Sequence, residues 1–161
     1  MAWAKLATKT LTGTVDPITT SVFTSKQFTQ FLYNIFDSGS VNTSIRLGQT
    51  SIDTGANYAS RESPNGGADS TRTNQNQFYT NMNNINEFHV GYFINVGTQE
   101  KLGVVFSVGQ NTAGAGTAPA RSEQVGKWTN TTNQFDIAEL FDAGGTGSYT
   151  VDSNITILGT D

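Results

Sequence analysis

The 161-residue sequence contains no cysteine, three prolines and one histidine, and charged residues make up only 14% of it. The missing cysteines exclude disulfides and thiolate metal sites. No basic run occurs, and the net charge is −4. This argues against a nucleic-acid-binding protein, which neutralises phosphates with clustered lysine or arginine. No apolar run reaches the length needed to span a membrane, so we expect no membrane span.

The low charge is balanced by threonine, serine, asparagine, glutamine and 17 glycines, with 35% hydrophobic residues. Disordered chains usually combine low hydrophobicity with high charge, and this chain does not. Threonine suits strands, while asparagine, serine and glycine suit turns. The length predicts a single domain over residues 1–161, large enough to bury a stable core without disulfides or bound metals. The N-terminus lacks the apolar stretch of a signal peptide, which predicts synthesis in a cytoplasm.

The strongest local pattern lies between Asn86 and Gln110, where two runs rich in β-branched and aromatic residues flank a turn that opens on Gly97. This pattern predicts a β-hairpin. Period-two alternation places the larger apolar residues on one face: Phe88, Val90, Tyr92, Ile94, Val96, Leu102, Val104, Phe106 and Val108. We expect a second sheet to cover this face, with Ile94 and Phe106 in the core.

Further short strands are predicted over residues 3–12, 20–23, 28–36, 41–47, 58–61, 71–80, 121–129, 135–141 and 153–158. Residues 28–36 have a spacing that also permits a short helix, and Ser25 could cap a helical turn. Two lysines in the first strand place it at a sheet edge. Turn signals at 37–40, 63–67 and 144–147 separate the strands. The spacing predicts an all-β, antiparallel two-sheet sandwich that is jelly-roll-like.

Few residues suggest catalysis or metal binding. His89 is the sole histidine, no Gly-x-Ser-x-Gly occurs, and a structural or surface role is favoured for it. The acidic residues are scattered, so no local pattern supports the two carboxylates of a glycosidase. Asp136, Glu139 and Asp142 recur at helix spacing, but Ca²⁺ would require more oxygen ligands, and a solvated acidic face is favoured. The sequence predicts no enzyme, no metal and no cofactor.

Two glycine-rich stretches, 66–69 and 144–147, lack the lysine of a phosphate-binding loop and are explained as hairpin turns. Residues 111–120 form the one low-complexity patch, with small side chains and no charge. They predict a loop or extended arm rather than a domain linker.

Four aromatic residues suggest an alternative role in stacking against a sugar: Trp3, Tyr58, Tyr79 and Trp128. Aromatic residues in a sandwich more often lie in the core. We expect this for Trp128, which falls in a predicted strand, while Trp3, near a chain end, is left open between the two roles.

Four stretches form a longer pattern: Phe36-Asp37-Ser38-Gly39-Ser40 leading to Ile45-Arg46-Leu47, Asn57-Tyr58-Ala59-Ser60-Arg61 with Asn65-Gly66-Gly67-Ala68-Asp69, Gln110 to Gly116 continuing through Arg121 to Trp128, and Asp152 to Asp161. With them the chain resembles small virion structural proteins of tailed bacteriophages. The resemblance covers nearly the whole sequence and carries no catalytic signature.

The resemblance implies a capsid decoration (cement) protein located in the virion, with the major capsid protein as its partner and a homotrimer as its assembly. The alternative is an adhesive module of a head or tail fibre that binds a host-surface glycan. We expect partner contacts from Trp3, on an edge strand, and from Gly114, Ala115 and Gly116, whose small size permits close backbone approach.

Overall fold

The computed structural model describes residues 2–36, 41–80, 82, 86–110 and 112–161. These residues form thirteen strands: β1 (Ala4–Thr10), β2 (Ile18–Thr19), β3 (Phe28–Phe36), β4 (Thr43–Gln49), β5 (Ser51–Ile52), β6 (Tyr58–Pro64), β7 (Ser70–Gln75), β8 (Phe78–Tyr79), β9 (Asn86–Ile94), β10 (Lys101–Gln110), β11 (Ala120–Trp128), β12 (Ile137–Asp142) and β13 (Asn154–Thr160). Within the described ranges there is no helix, and hence none that could cross a membrane. The predicted all-β class is confirmed.

The strands form two antiparallel sheets. The larger sheet has eight strands in the order β1-β13-β3-β9-β10-β11-β6-β7. The smaller sheet has five, in the order β2-β12-β4-β5, with β8 also paired to β4. The chain crosses repeatedly from one sheet to the other, as in a jelly-roll-like sandwich. The predicted two-sheet sandwich is therefore confirmed.

Most strand predictions agree with the structure to within a few residues. β1 lies at an edge of the large sheet, as its lysines indicated. Residues 28–36 form strand β3 rather than a helix, and Phe31, Tyr33 and Ile35 alternate into the core. The turn expected at 63–67 begins later, because Ser63 and Pro64 still pair with β11. The turn predicted at 37–40 lies outside the described residues.

The core between the sheets is rich in aromatic rings. Phe93, from β9, lies at its centre: its ring centroid is 4.9 Å from that of Phe31, 5.7 Å from that of Phe78 and 6.3 Å from that of Phe135. An added Cβ on Gly103 would lie 2.2 Å from the Phe93 ring. The ring therefore occupies space that exists because β10 carries a glycine at this point.

Candidate functional site

The central hairpin has the predicted strands, β9 and β10, but the opposite face lies inward. The exposed fractions of Phe88, Tyr92, Leu102 and Phe106 are 44%, 44%, 56% and 50%, and Ile94 is half-buried. The prediction that this face packs against the second sheet, with Ile94 and Phe106 in the core, is wrong. The face is the outer surface of the eight-stranded sheet.

The inner face of the hairpin explains this orientation. It carries one large ring, Phe93, next to Val105 and opposite Gly103, so the two strands together fit closely under the second sheet. The polar residues on this face find hydrogen-bond partners within the chain, in neighbouring strands or in the adjoining loops. Lys101, fully buried, donates from Nζ to the carbonyl oxygens of Gln99 and Asn130 at 2.8 and 2.6 Å.

Many of the exposed apolar residues lie side by side on the outer surface of the eight-stranded sheet, an area that we call the outer apolar face. In β9 and β10, three pairs lie directly opposite each other: Phe88 with Val108, Val90 with Phe106, and Tyr92 with Val104. Neighbouring strands extend the area. We define the face by eleven residues: Phe28, Leu32, Phe88, Val90, Tyr92, Ile94, Leu102, Val104, Phe106, Val108 and Val125.

At one end of the outer apolar face lies a groove of about 540 Å³. Its lining includes Trp3, Phe28, Tyr92, Ile94 and Leu102, and it is predominantly apolar. The Tyr92 hydroxyl accepts a hydrogen bond from Gln30 Nε2 at 2.9 Å. The groove has the volume of a typical small-molecule site, but it has few polar groups that could orient a ligand.

Charged residues line the outer apolar face along β11 and the adjacent β6. They form ion pairs within the chain: Lys127 with Glu100 at 2.7 Å, Arg121 with Glu123 at 2.6 Å, and Arg61 with Asp69 at 3.6 Å. Glu123 stands directly opposite Phe106 in the sheet register, so the charges adjoin the apolar area. An apolar centre with a charged border is the usual composition of a protein interface.

The predicted contact residues lie at two separate places. Trp3 is 46% exposed and lines the groove, near the first residues of β10. Gly114, Ala115 and Gly116 are exposed in the loop that follows the last residues of β10. The ten residues of β10 separate the two places by about 30 Å, at roughly 3.4 Å per residue. The structure therefore does not bring Trp3 and the loop together.

The four aromatic residues considered for sugar stacking do not form a platform. Trp128 and Tyr58 are buried and stacked on each other, as expected for Trp128. Tyr79 is half-buried beneath the Arg72 guanidinium. Of the four, Trp3 alone is exposed. Phe28 and Tyr92 line the groove together with Trp3. Neither was proposed as a contact residue from the sequence, which predicted that Tyr92 lies in the core.

His89 belongs to a buried polar network. Its Nδ1 lies 2.7 Å from Ser107 Oγ, and its Nε2 lies 2.9 Å from Glu87 Oε2. Tyr33 stacks on the imidazole with a ring-centroid distance of 4.3 Å. Ser107 also bonds to Gln124 at 3.2 Å.

Serine, histidine and glutamate are the components of a hydrolytic triad, but here the geometry differs. The serine contacts Nδ1 and the carboxylate contacts Nε2, the reverse of the usual arrangement in serine proteases. His89 is fully buried between the sheets and Ser107 nearly so. A substrate would reach Ser107 only if the sandwich opened. The arrangement supports the structural role favoured for His89.

The acidic residues considered for Ca²⁺ lie on or beside a strand rather than on a helix, since Glu139 and Asp142 belong to β12 and Asp136 precedes it. Among the described residues, no group of three or more histidine or acidic residues could hold a metal ion. Asp142 has a structural role. Its carboxylate accepts four backbone hydrogen bonds. The N–H groups of Asn42, Gly144 and Thr146 lie at 2.9 Å, and that of Gly147 lies at 2.7 Å.

Hydrogen bonds and burial change the pKa values of three aspartate side chains. Burial by itself would raise the pKa of Asp142, but the backbone donors of the 142–147 turn and Asn42 outweigh it and hold the pKa below its usual value. The pKa of Asp53 is also lowered. Burial acts to raise it, but the hydrogen bonds donated by Trp128, Gly55 and Asn57 have the larger effect. The pKa of Asp16 is instead raised, mainly by burial and also by the negative charge of Asp142. The hydrogen bond that Asp16 accepts from the Asp142 N–H acts in the opposite direction but does not outweigh them.

We expect the chain to lose stability in acid. A carboxyl group with a lowered pKa stabilises the fold above its unfolded pKa of about 3.9, and this contribution is lost as the pH falls through the folded value. The urea midpoint should therefore fall between pH 5 and pH 3. Asp142→Asn should flatten this fall, because it removes the carboxyl group whose pKa the backbone donors lower. An unchanged slope in Asp142→Asn would contradict this assignment.

Comparison with known proteins does not extend this description. No model of a known protein family matches the chain, and no curated protein matches it either. The candidate site is therefore defined by geometry: an exposed apolar sheet face, a groove at one end of it, and a border of charged pairs along one side.

Proposed function

We propose that this chain is a non-enzymatic structural protein of a tailed-bacteriophage virion. More specifically, the proposed role is that of a capsid decoration (cement) protein, which binds the outer surface of the major capsid protein shell and stabilises the shell. The outer apolar face carries the proposal. Soluble monomers rarely expose contiguous apolar patches beyond a few hundred Å², and larger ones mark sites of protein interaction.

The composition of the face supports an interface with protein rather than with a small ligand. Tyrosine and phenylalanine are enriched at the centre of protein interfaces, where lysine and glutamate are depleted. Here Phe88, Tyr92 and Phe106 occupy the middle of the sheet, and Glu123 and Lys127 lie toward its side. Together with the sequence resemblance, this favours a protein that works within an assembly, as a homotrimer on the virion surface without a cofactor.

A carbohydrate- or receptor-binding module of a phage fibre is the second candidate. Trp3 favours it, because an exposed indole that lines the same groove as Tyr92 offers an apolar surface for a sugar. The scarcity of polar groups in the groove disfavours it, since sugars are recognised by many hydrogen bonds. Glycan-array binding that disappears in Trp3→Ala would support the fibre module over the decoration protein.

Copy number distinguishes the two candidates. A decoration protein should be present in hundreds of copies per particle, because it repeats with the shell, whereas a fibre module should be present in few. Quantitative protein staining of purified particles, with the major capsid protein as the internal standard, measures this ratio. A ratio to the capsid protein far below that of a repeating shell component would contradict the decoration role.

The contact residues are tested on the same particles. Deletion of Gly114 to Thr117 and the substitution Trp3→Ala should each reduce occupancy if the loop and the N-terminal strand contact the shell or a neighbouring subunit. Full occupancy and unchanged particle stability in both variants would show that neither segment makes the contact.

A further inference from the structure

We infer that the outer apolar face is covered by a second copy of this chain. The inference deepens the proposed function and rests on it in one respect, namely that the face is buried in the assembled state. It adds what covers the face: the contact joins one subunit of the proposed homotrimer to the next.

The area of the face agrees with a stable contact between subunits. Aromatic residues each have roughly 150–250 Å² to bury. At exposed fractions between 38% and 50%, Phe28, Phe88, Tyr92 and Phe106 contribute on the order of 80–100 Å² each. Adding Trp3 from the adjoining groove and the exposed aliphatic residues of the face gives about 700–800 Å², close to the roughly 800 Å² per partner of a standard interface. The aliphatic residues are Leu102, Val108 and Val125.

The shape of the face is suited to its own copy. The groove lies at the end of the sheet near Leu102, while Phe106 projects from the same strand four residues away, about 13 Å at 3.4 Å per residue. The face therefore carries both an apolar recess and a half-exposed ring that could enter such a recess on a neighbour. A ring of one copy that enters the recess of the next makes a head-to-tail contact, the kind of contact that can close a trimer.

The charges beside the face also agree with a second copy. Each cation of the border is already paired with a carboxylate of the same chain, as in Lys127–Glu100 and Arg121–Glu123. The border therefore has no excess of one sign that would select an oppositely charged partner. Along β11 and β6, two copies can therefore approach without strong like-charge repulsion, and the pairs can exchange partners across the contact.

Analytical ultracentrifugation of the purified chain tests the inference. The molar mass of the sedimenting wild type should be at least twice the 17.2 kDa of a single chain. Leu102→Asp and Phe106→Asp should each weaken self-association at least tenfold, because each would bury an unpaired carboxylate. Val22→Asp is the matched control, since Val22 is exposed to the same degree as Leu102 (53% and 56%) but is not part of the face. It should keep the wild-type mass.

Circular dichroism confirms that each variant is folded, and Val125→Asp serves as a further variant at another exposed position of the face. A wild type that remains monomeric at about 100 μM, far above the Kd range of stable interfaces, would overturn the inference. An oligomer whose mass is unchanged in all three face variants would overturn it equally.

The two proposals fail separately. If the wild type is monomeric and Leu102→Asp removes the protein from particles, the face binds the shell, and the second copy is excluded while the decoration role stands. If the wild type self-associates through the face but is absent from purified particles, the inference stands and the decoration role fails.

Discussion

Replacing Phe93 by alanine should lower the free energy of unfolding by about 3–5 kcal/mol, the usual cost of deleting a buried phenylalanine ring. Phe93 is 3% exposed and contacts the rings of Phe31, Phe78 and Phe135, which come from three other parts of the chain. Its removal would leave a cavity between the sheets that the rigid strands cannot close. Urea denaturation at low protein concentration measures the loss.

Phe106→Ala is the matched control, because Phe106 lies on the neighbouring strand and points to the opposite side of the sheet. It is 50% exposed, so its truncation in the monomer should cost less than about 1 kcal/mol. Denaturation at several concentrations separates this effect from any stabilisation by self-association, which depends on concentration. Equal losses in the two variants would mean that the sheet faces are assigned the wrong way round.

Replacing Glu87 by alanine should lower stability by about 3–5 kcal/mol, because removing one partner of a buried pair leaves the other without compensation. Glu87 is 2% exposed and His89 is fully buried, and their contact is 2.9 Å. The imidazole would lose its acceptor at Nε2 in a region that water does not reach. Glu87→Gln, which keeps an acceptor oxygen, should lose less.

Glu123→Ala provides the control for burial. Glu123 lies two residues from Arg121 on a strand, as Glu87 lies two residues from His89, and its ion pair is shorter, at 2.6 Å. Both partners are more than half exposed, so the pair should contribute no more than about 1 kcal/mol. A loss in Glu87→Ala as small as that in Glu123→Ala would show that the buried network is not needed for the fold.

Local pattern was sufficient to predict strands. The runs that became β3, β9, β10 and β13 were identified from alternation and bordering turns, and the sandwich followed from their number and spacing. The alternation in β9 and β10 also grouped the correct residues on one face. Trp3 was proposed as a contact residue because a large aromatic beside an edge strand leaves apolar area available to a partner, and it does lie exposed on the groove.

What local pattern could not decide was which side of the hairpin faces the core. The side with more apolar residues was expected inside, but both sides contain them, and the inner one is filled by Phe93 together with the space above Gly103. Packing volume between sheets depends on strands distant in sequence, such as β3 and β12. A signal did exist, since Gly91 and Gly103 both lie on the side that accommodates a large ring.

Alternation and turn chemistry act over a few neighbouring residues, so the strands, the two-sheet class and the hairpin residues of the outer apolar face could be predicted from the sequence. Contacts between distant strands were needed to show that this face is exposed, that Phe28, Leu32 and Val125 belong to it, and that Glu87, His89 and Lys101 are buried. Burial of those polar groups is tolerated only because Ser107, Asn130 and other partners, up to about thirty residues away in the chain, meet them between the sheets.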